Sequence, residues 1–163
     1  MKARGRLIAE KLVAKLVTLS ESDGVSFPFT PRRSRIPKVK LEDLGTERAD
    51  VTVAALTKAG DEQDRSSELL LYGISVGVTA NVGTSESEAG DMVEDLVEEI
   101  HNFLTKEENQ CIQLDSTSSD LDDVADLELP FVNDPVFNLN LLQQSGVYQS
   151  ITVFTYMIER SRE

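Results

Sequence analysis

From Leu69 to Val82 the chain reads LLLYGISVGVTANV. Leu70, Tyr72, Ile74, Val76, Val78, Ala80 and Val82 form one alternate set; Leu69, Leu71, Gly73, Ser75, Gly77, Thr79 and Asn81 form the other. A period of two sustained this long predicts a strand with one uniformly apolar face. Its second face turns small and polar after the two leucines, which suits solvent or a closely approaching protein neighbour. Ala49 to Lys58 (ADVTVAALTK) predicts a second strand. The polar loop 59–67 joins the two, so a long antiparallel hairpin is expected.

Two segments carry the helical period instead. Residues 3–19 place Ile8, Leu12, Leu16 and Leu19 on one stripe with Val13 and Val17 beside it, which predicts an amphipathic helix. Its exit is expected at 20–24, where Gly24 is able to take a left-handed conformation. Beyond Gly83, Ser85 and Glu88 fit a capping box. Met92, Val93, Leu96, Val97, Ile100, Phe103 and Leu104 then build a continuous apolar stripe, opposed by Glu94, Asp95, Glu98 and Glu99. Acidic residues in the first turns also suit the positive end of the helix dipole.

The remainder is less periodic. A short strand is expected at 25–29 and another at 109–114. Pro31 and Pro37 bracket Arg32, Arg33 and Arg35, with Lys38 and Lys40 following. This predicts a basic extended arm or edge segment over about 30–41, because proline cannot donate to a ladder. The acidic stretch of about 115–130 reads as a loop or weak helix, and 138–142 is apolar at alternate positions. Finally 147–159 (VYQSITVFTYMIE) is rich in β-branched and aromatic residues. It carries apolar side chains on both faces, as a central or doubly covered strand does.

Charge divides the chain. Residues 1–50 carry 11 Lys/Arg against 7 Asp/Glu, and residues 51–163 carry 5 against 22, for a total of −13. An acidic body repels nucleic acid, so specific binding of it by most of the surface is disfavoured. The basic arm has two readings: a solvated loop that offsets the acidic body, or a strap that docks on an acidic surface of another copy or protein. The lone Cys111 leans toward a reducing compartment. Glu10, Lys11 and Lys15 interrupt the N-terminal apolar run, so a helix rather than a signal peptide is expected there. No run approaches the ~20 apolar residues that span a bilayer.

Reactive chemistry is sparse. Glu98 and His101 make a single Glu-x-x-His step, whereas di-metal bundles use two copies with further glutamates. A boundary histidine is the expectation. Asp120, Asp122, Asp123 and Asp126 lack the central glycine and spacing of a calcium loop, which leaves a solvated acidic loop with at most weak cation binding. Cys111 and the serines have no imidazole but His101 to activate them. The glycine fingerprints of nucleotide sites are absent. Neither an enzyme nor a cofactor or metal site is expected.

The order of helix, short strand, basic linker, long hairpin, acidic-faced helix and terminal strand resembles the tail terminator (tail completion) and neck proteins of long-tailed phages. The matching stretches are GRLIAEKLVAKL, ADVTVAAL with LLLYGISVGVTANV, DMVEDLVEEIHNFL and SGVYQSITVFTYMIER. Gly146, Val147 and Tyr148 correspond to a glycine-aromatic step before a last, sheet-closing strand in that family. The proline-bracketed basic segment and the stretch 115–130 depart from the family's compact form. The resemblance implies a non-enzymatic virion protein, a ring of typically six subunits on the tail tube. Such a ring stops tube polymerisation and joins tail to head, contacting the tube protein and a head-completion protein. DNA passes through its lumen without specific binding.

The expectation is therefore one α+β domain over 1–163: an antiparallel, mostly four-stranded sheet with a long hairpin and two helices packed on one face. Arg32, Arg33, Arg35, Lys38 and Lys40 are the candidate arm contacts. Leu69, Leu71, Gly73, Ser75 and Gly77 are candidate contacts on the second sheet face. A head-completion adaptor or stopper, or a stand-alone bacterial α+β protein-binding module, are the alternatives.

Overall fold

The structure, a computed structural model, describes residues 3–35, 44–62, 67–83, 88–115, 117 and 123–161. The first helix, α1 (Arg4–Ser20), buries Ile8, Leu12 and Leu16 completely, and Gly5 and Ala9 are buried with them. Gly5 lets the helix approach the sheet closely: a β-carbon there would lie 3.3 Å from the Tyr72 ring and 3.4 Å from Ala55 Cβ. The helix ends on Glu21 in right-handed geometry. Gly24 is not left-handed, and the positive-φ glycines among the described residues are Gly83 and Gly146.

Strand β1 (Phe29–Arg33) leads through residues 34–48 to β2 (Ala49–Glu62), which turns back into β3 (Ser67–Asn81). Helix α2 (Glu88–Thr105) follows, then a single turn α3 (Glu107–Gln110) and the short strands β4 (Cys111–Gln113) and β5 (Val124–Leu127). A 3-10 turn (Leu129–Phe131), β6 (Val136–Phe137) and α4 (Leu139–Ser145) precede the last strand, β7 (Val147–Ser161). The capping box at Ser85 and Glu88 involves Ser85, which lies outside the described residues.

These strands form one curled, half-barrel sheet in the order β1-β2-β3-β7-β5-β4, with β6 also on the outer edge of β7. The expectation of a mostly four-stranded antiparallel sheet with two helices is thus corrected to a seven-stranded mixed sheet with four helices among the described residues. Two physical reasons account for the difference. The strands β4, β5 and β6 are two to four residues long, too short to show a period; β5 and β6 form on the edge that β7 offers, and β4 forms on β5. In addition, β1 runs parallel to β2, which the connection of 34–48 permits and a tight hairpin would not.

The long elements match their patterns. Strand β3 pairs antiparallel with β2 on one edge and with β7 on the other, from Ser67↔Ser161 to Asn81↔Val147. Register puts Leu70, Ile74, Val76 and Val78 on the same face as Val51 and Val53 of β2 and Phe154, Tyr156 and Ile158 of β7. That face joins α1 and the buried Val93, Leu96, Val97, Ile100 and Leu104 of α2 in one core. A bulge at Leu56, between Ala55 and Thr57, interrupts the β2 register, and such bulges sharpen the local twist. Segment 138–142, apolar at alternate positions, is helical instead. Asn138 caps it by accepting from Leu141 N, and Gly146 ends it at φ 64°. Glu99, on the mostly acidic face of α2, turns inward and accepts from both the backbone N–H and the hydroxyl of Ser26, tying α2 to the loop between α1 and β1.

Candidate functional site

Three surfaces are distinguishable, and the first is the basic edge. In β1 the bonds Ala49 N to Pro28 O and Ser34 N to Val53 O turn the even-numbered residues toward β2. Pro31 therefore faces the open side, where its lack of an N–H blunts strand addition. Arg32 is not free: its Nε lies 3.1 Å from both carboxylate oxygens of Asp50. Arg48 braces the same edge, donating to Phe29 O at 3.1 Å and Thr30 Oγ1 at 3.2 Å. Arg33 and Arg35 are exposed, with no ion pair among the described residues. Lys38 and Lys40 lie outside the described residues.

The second surface is the far face of β3. Leu69, Leu71 and Gly73 are half-buried there. Ser75 and Gly77 are buried within the protein itself. Register sets Val153 beside Ser75 and Ile151 beside Gly77, so larger neighbours flank the small residues and shield them. Ser75 Oγ donates to Ala54 O at 3.4 Å. The middle of this face is thus filled by the sheet's own side chains, and its accessible part is the leucine end.

Sequence reasoning missed the third surface. Leu129, Phe131, Val136, Phe137 and Leu139 are all exposed, Val136 by 70% and Leu139 by 65%. They sit where the chain crosses the outer edge of β7. A groove of about 670 Å³ runs between Val136, Phe137 and Leu139 on one side and Gln149, Ile151 and Val153 of β7 on the other. A second hollow of about 460 Å³ continues from Phe137 and Leu139 to Leu142, Tyr148 and Glu94. Phe137 stands edge-on to Tyr148, ring centroids 5.6 Å apart, which fixes the wall between the two. The available signal was compositional: large apolar residues embedded among Pro130, Asn133, Asp134, Pro135 and Asn138. Such residues cannot join a periodic core stripe.

The third surface is acidic at its rim. Helix α2 exposes Glu88, Asp91, Glu94, Asp95 and Glu98, and Glu94, Glu98 and Asp134 line the hollows beside Phe137. An apolar floor with an acidic border selects a partner that is both apolar and positively charged.

Among the described residues no three of His, Cys, Asp and Glu converge to hold a metal. His101 is half-buried and stacks obliquely on Phe154, centroids 5.8 Å apart, while Glu98 is exposed. Cys111 is exposed as a residue, but partial desolvation of its sulfur, and then the Asp126 carboxylate opposite it, raise its thiol, the reverse of what activates a nucleophile. No helix among the described residues is long and apolar enough to cross a membrane. No protein-family model matches the sequence, and no curated protein matches it.

Proposed function

We propose that this protein is a structural assembly subunit of a phage tail or neck, a tail terminator that forms a ring on the end of the tail tube. The observation that carries the reading is the sheet formed by β2, β3 and β7. A long hairpin is closed by the last strand along the whole of β3, with both main helices on one face. This is the arrangement that the resemblance in the four matching stretches implies. The distribution of surfaces supports it further, since a basic edge and an acidic-rimmed apolar groove lie on opposite sides of one sheet. A subunit with two unlike surfaces makes heterologous contacts, and these generate rings when the rotation closes. The acidic body suits a channel through which DNA slides without sticking.

The test is polymerisation of a tail tube protein from the same genome, with and without this protein, followed by negative-stain imaging. Ring-capped tubes of limited length are expected. Tubes that grow unchanged and carry no ring would overturn the reading.

A further inference from the structure

We propose that the groove over β6 and α4 is the seat for the basic segment 31–41 of a second copy of this chain. The inference deepens the assembly reading by naming the contact between neighbours, and it rests on that reading only for closure into a ring. Two of the most exposed apolar side chains, Val136 and Leu139, flank the groove, and Glu94 and Asp134 border it. An apolar patch of this kind rimmed by polar groups marks an interaction site. Its occupant has to bring positive charge and apolar side chains together.

One stretch of this chain has that composition. Residues 31–41 hold five Lys/Arg and no Asp/Glu, interspersed with Pro31, Ile36, Pro37, Val39 and Leu41. Helix α1 is also basic, but its apolar stripe is spent in the core. Residues 51–163, with 5 Lys/Arg against 22 Asp/Glu, have little positive charge to offer. The contact runs between copies rather than within one. Within one copy β2, β3 and β7 stand between the edge that carries the arm and the edge that carries the groove. Leu44, where the chain returns, lies beside Thr30 and Arg32 on the arm's own edge. Each copy then offers an arm at one edge and a groove at the other, so contacts propagate in one direction.

Two double variants and their mixture test this by sedimentation velocity over a concentration series. The groove variant is Val136→Glu with Leu139→Glu; the arm variant is Arg33→Glu with Arg35→Glu, which spares the Arg32–Asp50 pair. Wild-type protein is expected to self-associate, and each variant alone to associate about tenfold or more weakly. Mixed together, the variants are expected to form a dimer and nothing larger. The intact arm of the groove variant fits the intact groove of the arm variant, and no second good pair remains. That dimer also shows that both variants are folded. A variant that associates like wild type, a mixture that stays monomeric, or a wild-type chain that stays monomeric overturns the proposal. Tube capping by a wild-type chain that does not self-associate in solution would overturn this contact and leave the assembly reading standing. Self-association without capping would do the opposite.

Discussion

Gly146 presses against Gly83 so closely that a β-carbon on Gly146 would lie 1.8 Å from the Gly83 carbonyl oxygen. The Gly146 carbonyl in turn accepts from Val82 N at 2.9 Å and Gly83 N at 3.1 Å, and its own N–H donates to Leu142 O at 3.0 Å. One residue thus ends α4, starts β7 and locks the exit of β3.

Gly146→Ala is therefore expected to destabilise the protein severely. The φ of 64° and the clash act together, and about 3 kcal/mol or more is expected from strain plus overpacking. Gly83→Ala is the control: its φ is 80° but a β-carbon there meets nothing within 4 Å, so only the backbone strain of roughly 1–2 kcal/mol applies. Urea denaturation midpoints measure both. Equal losses would show that the clash relaxes.

Glu99 is the one carboxylate on α2 with a described structural task, since it accepts twice from Ser26. Glu99→Ala should cost about 1–3 kcal/mol, because the part-buried N–H of Ser26 loses a charged acceptor. Asp95, on the same helix, is exposed, and Asp95→Ala should leave stability within about 0.5 kcal/mol. Thermal melts of the two variants separate these expectations.

Tyr156 is fully buried and its hydroxyl has no partner among the described residues. Burial raises its phenol well above the usual value, and burial followed by the Glu94 carboxylate does the same to Tyr148. The unfolded phenols ionise near pH ~10 while the folded ones stay protonated. Above that pH the unfolded state binds fewer protons, so stability falls as pH rises. Tyr156→Phe is expected to change stability little at pH ~7, by about 1 kcal/mol or less, because it removes an unbonded hydroxyl. It should also flatten the alkaline loss. Urea titrations from neutral to alkaline pH check this, and an unchanged alkaline slope would contradict it.

Cys111 faces Asp126 across the β4–β5 pair. Burial first, and then the carboxylate, raise its thiol. Alkylation by iodoacetamide should therefore be slow at neutral pH, with a midpoint above the ~8.5 of a free thiol. Asp126→Asn should move that midpoint down. A pH profile indifferent to the substitution would remove Asp126 as a cause.

Much of the fold was legible in the sequence. The periods of 3.6 in α1 and α2 and of 2 in β3 span enough residues for burial to follow the pattern, with Val17 and Met92 as exposed exceptions at the margins of their helical stripes. Leu70 to Val82 on the apolar set are all buried, as are Val93, Leu96, Val97, Ile100 and Leu104. Of the short elements, β4 falls within the strand expected at 109–114, but β5, β6 and α4 were not legible. Ala125 and Leu127 of β5 are buried, yet in sequence they sit in and beside the acidic run 120–126. A few residues carry too little local preference to declare a strand. The candidate surfaces divide the same way. The charge of the basic arm was visible directly, but the pairing of Arg32 with Asp50 was not, because it depends on the parallel alignment of β1 with β2.

The sequence by itself determined which side chains would avoid water, where the long helices and strands run, and how charge divides along the chain. These are local quantities, set by side-chain chemistry and the two backbone periods. Only the tertiary structure decided which strands flank β7, that short strands complete the sheet beyond it, and that apolar residues 129–139 remain at the surface. Each of these depends on which residues meet across long stretches of chain. The free edge of β7, rather than any preference within β5 or β6, is what calls those two strands into existence.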